Sequence, residues 1–124
     1  MKYSDPKTVA LLFNEYINNQ DLENLAELMT EDHTFVSVSG KVEKGRELMK
    51  DAWAEFFRLY PDYRNIFSHV ESRGNRVIMV GHSECSEESL DGPALWTAII
   101  RDDRVAEWCV YDDTEETRRK LGIN

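Results

Sequence analysis

The sequence predicts an α+β fold, with helices gathered in the first half of the chain and an antiparallel sheet in the second. Three observations carry this. Up to Tyr60, apolar residues recur at helical spacing. From Arg64 onward they alternate with polar ones, and Gly74-Asn75 and Asp102-Asp103 supply hairpin turns. The chain has 124 residues, enough for one domain over 1–124, and 41% of them are apolar, enough for a core. Helices that precede a meander of strands segregate onto one face of the sheet, because hairpin-joined strands need no crossover helices.

Asp5-Pro6 starts the first helix, with Pro at its first position. Val9, Leu12, Phe13, Tyr16 and Ile17 form its apolar stripe. Asn18-Asn19-Gln20 breaks it, and Asp21 caps a second helix that turns Leu22, Leu25, Ala26, Leu28 and Met29 inward and ends near Thr30 to Asp32. His33 to Val38 reads as a strand, and Ser39-Gly40 as a turn. A third helix spans about Lys44 to Tyr60, its wide face built from Leu48, Met49, Ala52, Trp53, Phe56, Phe57 and Tyr60, and Pro61-Asp62 stops it. Strands follow at Arg64–Ser72, Arg76–Ser86, Leu95–Arg101 and Arg104–Asp112, with Leu90 to Pro93 as a loop. Thr114 to Leu121 is a last short helix, ended by Gly122.

Fifteen Lys and Arg stand against 24 Asp and Glu, a net charge of −9. Nucleic acid is excluded as a partner, since phosphate binding needs a basic stripe and Arg118-Arg119-Lys120 reads as cations at a helix C-terminus. No apolar run approaches a membrane span. Met1 to Asp5 is polar and leads straight into a helix, which is not a signal-peptide pattern. Cys85 and Cys109 make neither a disulfide framework nor a zinc spacing, so a cytoplasmic protein with reduced thiols is expected. His33, His69 and His82 are scattered, giving no metal site, and no glycine-rich or nucleophile motif calls for a cofactor.

Three stretches, Asp21 to Val36 (DLENLAELMTEDHTFV), Lys41 to Phe57 (KVEKGRELMKDAWAEFF, with Gly45 leading the helix) and Arg104 to Ile123 (RVAEWCVYDDTEETRRKLGI), carry a resemblance that covers about residues 5 to 122. Their order and spacing resemble the nuclear transport factor 2-like superfamily, in particular its SnoaL-like branch, related to polyketide cyclases and ketosteroid isomerases. The resemblance implies a cone-shaped barrel, a curved antiparallel sheet wrapped on three N-terminal helices (the cystatin-like fold), with an apolar pocket inside. The roles that a ketosteroid isomerase needs fall by spacing on Ser37, Phe13 and Trp96, so the Asp base, the Tyr and the protonated Asp are all lost. An epoxide-hydrolase Asp-Arg-Asp set is conceivable in this fold but disfavoured, because Arg76 and Arg101 sit at strand ends, where they reach solvent.

The SnoaL-like reading implies an acid at the end of the last strand as base, with a hydrogen-bond donor on the substrate carbonyl. Asp112 and Asp113 compete for the first role: strand parity with Trp108 and Val110 favours Asp112, tail length favours Asp113. Capping of the last helix explains Asp113 or Thr114 without any substrate. His33 and Tyr16 are the candidate donors, and Phe13, Phe35, Ser37, Trp53, Phe57, Trp96 and Trp108 the candidate pocket wall. The expected function is a cofactor-independent isomerase or cyclase acting on a small hydrophobic carbonyl compound; the alternative is a non-catalytic ligand-binding or dimerisation module. His69-Glu71 and His82-Glu84 read equally as acid-base pairs or solvated ion pairs. Ile78, Val80, Leu95, Thr97, Ile99, Cys109 and Tyr111 share the convex sheet face, an apolar surface that predicts a homodimer through it. Residues 84–116 hold eleven acids and two bases, so the pocket should prefer neutral or cationic ligands.

Overall fold

A computed structural model describes residues 5–123. The polar stretch Met1 to Ser4 lies outside them. The elements run α1 (Pro6–Asn18), α2 (Leu22–Glu27), β1 (Met29–Val36), β2 (Val42–Lys44), α3 (Arg46–Leu59), β3 (Arg64–Arg73), β4 (Arg76–Glu84), a 3-10 turn (Glu88–Leu90), β5 (Gly92–Arg101), β6 (Arg104–Asp112) and α4 (Glu115–Leu121). Six strands form one sheet in the order β2-β1-β6-β5-β4-β3.

Three of the four helices, α1, α2 and α4, start at a side-chain cap; α3 follows Gly45, which has none. Asp5 accepts from the Lys7 amide at 3.0 Å, with Pro6 at the first helical position. Asp21 accepts from the Asn24 amide, and Thr114 from the Thr117 amide at 3.1 Å. The α1 stripe Val9, Phe13, Ile17 and the α3 stripe Met49, Trp53, Phe57 are buried against the sheet side chains Met79, Trp96 and Trp108. Asp102 and Asp103 both take positive φ, 53° and 60°, the backbone of a tight turn whose twist suits the β5–β6 hairpin. Irregular pairings at Phe67/His69 and Ile99/Ile100 bend the sheet. Gly81 sits opposite the first: a Cβ there would lie 2.0 Å from the Ile66 carbonyl oxygen.

Several boundaries differ from the sequence reading. α2 ends at Glu27; Leu28 and Met29, assigned to its inner face, are its cap and the start of β1. Both are buried in either arrangement, so their hydrophobicity does not tell helix from strand. β1 stops at Val36, and Ser37 and Val38 belong to the turn into β2, where the Ser37 amide donates to the Lys41 carbonyl at 3.0 Å. The third helix starts at Arg46 because Lys44 pairs with Thr34 in a strand that the sequence reading lacks. β5 begins at Gly92, pairing residues read as loop with Ser83 and His82. The sheet is mixed: β1 runs parallel to β6, with Phe35 beside Trp108.

The convex face also differs. α4 folds back over it, and Leu121 packs on Ile78 and Leu95, both fully buried, with Val80, Tyr111 and Ile123 alongside. Burial of such a leucine contributes about 1.5–3 kcal/mol. Arg73 fastens the helix end, donating to the carbonyls of Leu121 at 3.1 Å and Gly122 at 2.8 Å. The part of that apolar surface around Ile78, Val80, Leu95 and Tyr111 is thus covered by α4. His69-Glu71 and His82-Glu84 are exposed pairs, the first shared with Arg73. Among the described residues, no helix is long and apolar enough to cross a membrane.

Candidate functional site

The concave side of the sheet and α3 enclose an open cavity of about 760 Å³. Parity along the strands decides which residues reach it. In β6 Trp108, Val110 and Asp112 share one side, and the parallel register places Phe35 next to Trp108. Glu43, opposite Phe35 in β2, falls on the same side, whereas Lys44 follows Thr34. α3 contributes Met49, Ala52, Trp53 and Phe56 at spacings of three and four, one helical face. Ser37, Val38 and Ser39 close one rim, and Tyr63, Ser89 and Leu90 the other.

Aromatic rings dominate the wall. Phe35 meets Trp53 at 6.0 Å and 78°, Trp53 meets Phe56 at 5.5 Å and 83°, and Phe56 meets Tyr63 at 4.8 Å and 87°. These edge-to-face contacts are the favourable arrangement of ring quadrupoles. The Trp53 indole N–H is buried without a partner.

Tyr63 is held by a buried polar chain. Its hydroxyl lies 3.3 Å from Ser83 Oγ, Ser83 donates to Asn65 Oδ1 at 2.8 Å, and Asn65 Nδ2 donates to Asn14 Oδ1 at 3.2 Å. The Asn65 backbone is tied in turn by Asn18, which accepts from its amide at 2.8 Å and donates to its carbonyl at 2.9 Å. The last donation of the chain fixes the Asn65 amide, so its oxygen must accept from Ser83. The hydroxyl hydrogen of Ser83 is thereby committed, and Tyr63 donates to Ser83. Burial also pushes the Tyr63 phenol up from its ordinary pKa, keeping it protonated.

Of the residues expected at the site, Phe35, Ser37, Trp53, Trp108 and Asp112 come together on the cavity. Phe13, Trp96 and Phe57 do not line it. Phe13 and Trp96 are fully buried, Phe13 against Trp108 and Trp96 against Phe67, and Phe57 packs on Trp53 within the core. Asp113 lies just past the end of β6, outside the cavity wall, and is gripped by Arg118 through bonds of 2.6 and 2.9 Å. The guanidinium holds its carboxyl below the usual carboxylate range, a poor state for a base. Tyr16 lies at another surface hollow with Asn24 and Asp102. His33 does face inward, as its parity with Phe35 predicted, but it is fully buried outside the cavity wall. Its Nδ1 bonds the Val105 carbonyl at 2.7 Å, which makes Nδ1 the protonated nitrogen and leaves Nε2 a bare acceptor without a partner. Burial lowers its pKa, so the ring is neutral and offers no hydrogen to a substrate.

Ser39, Glu43, Tyr63 and Ser89 are the polar wall residues that the sequence reading missed. Glu43 depends on a three-residue strand too short for periodicity to signal, and Tyr63 on a turn after Pro61-Asp62. Among the described residues, no three His, Cys, Asp or Glu side chains are placed to hold a metal, and no arginine lines the cavity.

The family model of the SnoaL-like domain matches residues 10–108. Solved structures share the architecture. A candidate SnoaL-like polyketide cyclase from Shewanella denitrificans OS-217 superposes with a TM-score of 0.77 at 14% identity, over 97% of this chain and 98% of that one. An LEH-like epoxide hydrolase from M. tuberculosis gives 0.76 at 12% identity, over 87% and 82%. A cystatin-fold protein from Novosphingobium aromaticivorans gives 0.75 at 19% identity, over 87% and 98%. At such identities the likeness is one of fold. No curated protein matches the chain.

Proposed function

The chain belongs to the SnoaL-like domain family, and from that premise we propose that it binds a small hydrophobic molecule inside the cone. One observation carries this reading: the cone is open, about 760 Å³, and walled by Phe35, Trp53, Phe56, Tyr63 and Trp108. A cavity of that size and lining suits a compact organic ligand rather than a macromolecule. Binding is tested by quenching of tryptophan fluorescence, since Trp53 and Trp108 are both on the wall. A panel of small hydrophobic ketones, alcohols and amines should contain saturable quenchers. If none quenches saturably, and Trp53→Ala changes nothing, the reading fails.

A second reading, catalysis, is favoured by Asp112, an ionisable side chain at the cavity edge on the row Trp108-Val110-Asp112. There a carboxylate can take a proton from the carbon next to a carbonyl, the opening step of isomerisation or cyclisation. The donor roles first assigned to His33 and Tyr16 do not enter this scheme, because neither residue lines the cavity. The assay needs no known product. Exchange of α-protons of bound ketones for deuterium, followed by NMR, should be accelerated by the protein and abolished by Asp112→Asn. Equal exchange by both proteins leaves ligand binding as the function.

A further inference from the structure

Resting on the ligand-pocket reading, we propose that the cone selects hydrophobic organic cations, namely quaternary ammonium compounds or amines protonated at neutral pH, over neutral and anionic molecules of the same shape.

The charged side chains on the wall are Glu43, half-buried, and Asp112, exposed; no Lys, Arg or His joins them. They lie on different strands, β2 and β6, on one wall that β1 joins: Glu43 pairs with Phe35 and Phe35 with Trp108, whose row along β6 ends at Asp112. The Ser89-Leu90 rim adds to the field. It sits among Glu87, Glu88 and Asp91, in a stretch, residues 77–100, that contains no Lys or Arg. A ligand entering the cone therefore crosses a negative potential that is focused by apolar walls.

A cation loses hydration on entering such a cavity, a cost that the wall must offset. Aromatic rings attract it through their negative faces, most strongly for the weakly hydrated quaternary ammonium group. The hydrogen bonding of the wall points the same way. The Tyr63 hydroxyl hydrogen is taken by Ser83, so its oxygen has only lone pairs to offer, and Ser37 and Ser39 bond each other at 3.0 Å. Two donors oppose this: the buried Trp53 N–H, and the one hydroxyl hydrogen that the Ser37–Ser39 bond leaves uncommitted. Neither carries a charge to set against Glu43 and Asp112.

The test uses three ligands of similar outline: phenyltrimethylammonium, its neutral isostere tert-butylbenzene, and benzenesulfonate. Tryptophan fluorescence titrations are run on the full chain at low and high salt. The expected result is that the cation binds about tenfold more tightly than the neutral isostere at low salt. The anion should show no saturable binding, and the cation's advantage should shrink as salt is raised. In the Glu43→Gln/Asp112→Asn protein the cation and the neutral ligand should bind within about twofold of each other. The charge-free substitutions lie at the cavity rim, and an unchanged melting profile shows that the protein is folded. Equal binding of cation and neutral isostere by the unaltered protein overturns the cation preference while leaving the pocket reading intact; a preference that survives the double substitution undiminished overturns its assignment to Glu43 and Asp112 and places it on the aromatic wall. Failure of all three ligands overturns both.

Discussion

Asn65→Ala removes the centre of the polar chain behind Tyr63. Asn65, Asn14 and Ser83 are all buried, at 2%, 7% and 5% exposure. The substitution keeps the backbone bonds of residue 65 to Asn14 and Asn18 but deletes the side chain that accepts from Ser83 and donates to Asn14. Two buried groups, Asn14 Oδ1 and the Ser83 hydroxyl, then lack partners, at about 1–3 kcal/mol each. The Ser83 hydroxyl can turn to the Tyr63 oxygen 3.3 Å away, which recovers part of its share. The expected loss is about 2–4 kcal/mol, and at roughly 4 °C per kcal/mol for a chain of this size the melting temperature falls by about 8–16 °C. Urea unfolding of Asn65→Ala, Ser83→Ala and the double variant measures the coupling. A loss below about 1 kcal/mol for Asn65→Ala, or effects of the two substitutions that add within about 0.5 kcal/mol, would contradict the proposed chain of bonds.

Other perturbations follow from the packing and burial of single residues. Gly81→Ala pushes a methyl to 2.0 Å from the Ile66 carbonyl oxygen, a backbone atom that cannot swing away; a loss of about 1–3 kcal/mol is expected, and unchanged urea stability would show that β3 yields freely. Burial holds the His33 pKa below its ordinary 6.5, so the unfolded chain binds a proton that the folded chain refuses. Stability is then complete above pH 6.5 and declines as pH falls below it, by at most about 1.4 kcal/mol per unit until the folded pKa is reached. Comparing unfolding at about pH 7.5 and about pH 5, His33→Leu should lose less than the unaltered protein; an equal loss would place the acid sensitivity elsewhere. Truncation after Asp113 uncovers Ile78 and Leu95, so the shortened chain should self-associate more than the full one by light scattering, and identical profiles would mean that α4 does not shield this face.

What was legible in the sequence was what local periodicity and turn chemistry determine. β6 was read with its observed bounds, Arg104–Asp112, and its parity favoured Asp112 for the cavity side while tail length favoured Asp113; Asp112 is the one on the wall. α1 and the β3–β4 hairpin were read almost as closely, since caps and a Gly-Asn turn mark them. What escaped depends on distant partners. β2 is three residues long and exists because β1 lends it hydrogen bonds. The parallel β1–β6 pairing joins residues more than 70 apart, and nothing in either strand announces the other. The aromatic residues illustrate the limit most plainly: Trp96 and Trp108 both sit on inward rows, yet Phe67 covers the first while the second borders open space. Periodicity tells which side of a strand a residue takes, not how deep in the cone that strand position lies.

The parallel seam between β1 and β6 has a consequence for the order in which the protein can be made. Phe35 and Trp108, neighbours on the cavity wall, are among the earlier and later residues of the chain to be synthesised. Closing that seam requires a long loop to be drawn shut, an entropic cost met before its contacts return anything. The local hairpins β3–β4 and β5–β6 can form as soon as their residues emerge, but the cavity cannot. A nascent chain therefore carries its aromatic side chains without a cavity until β6 is complete.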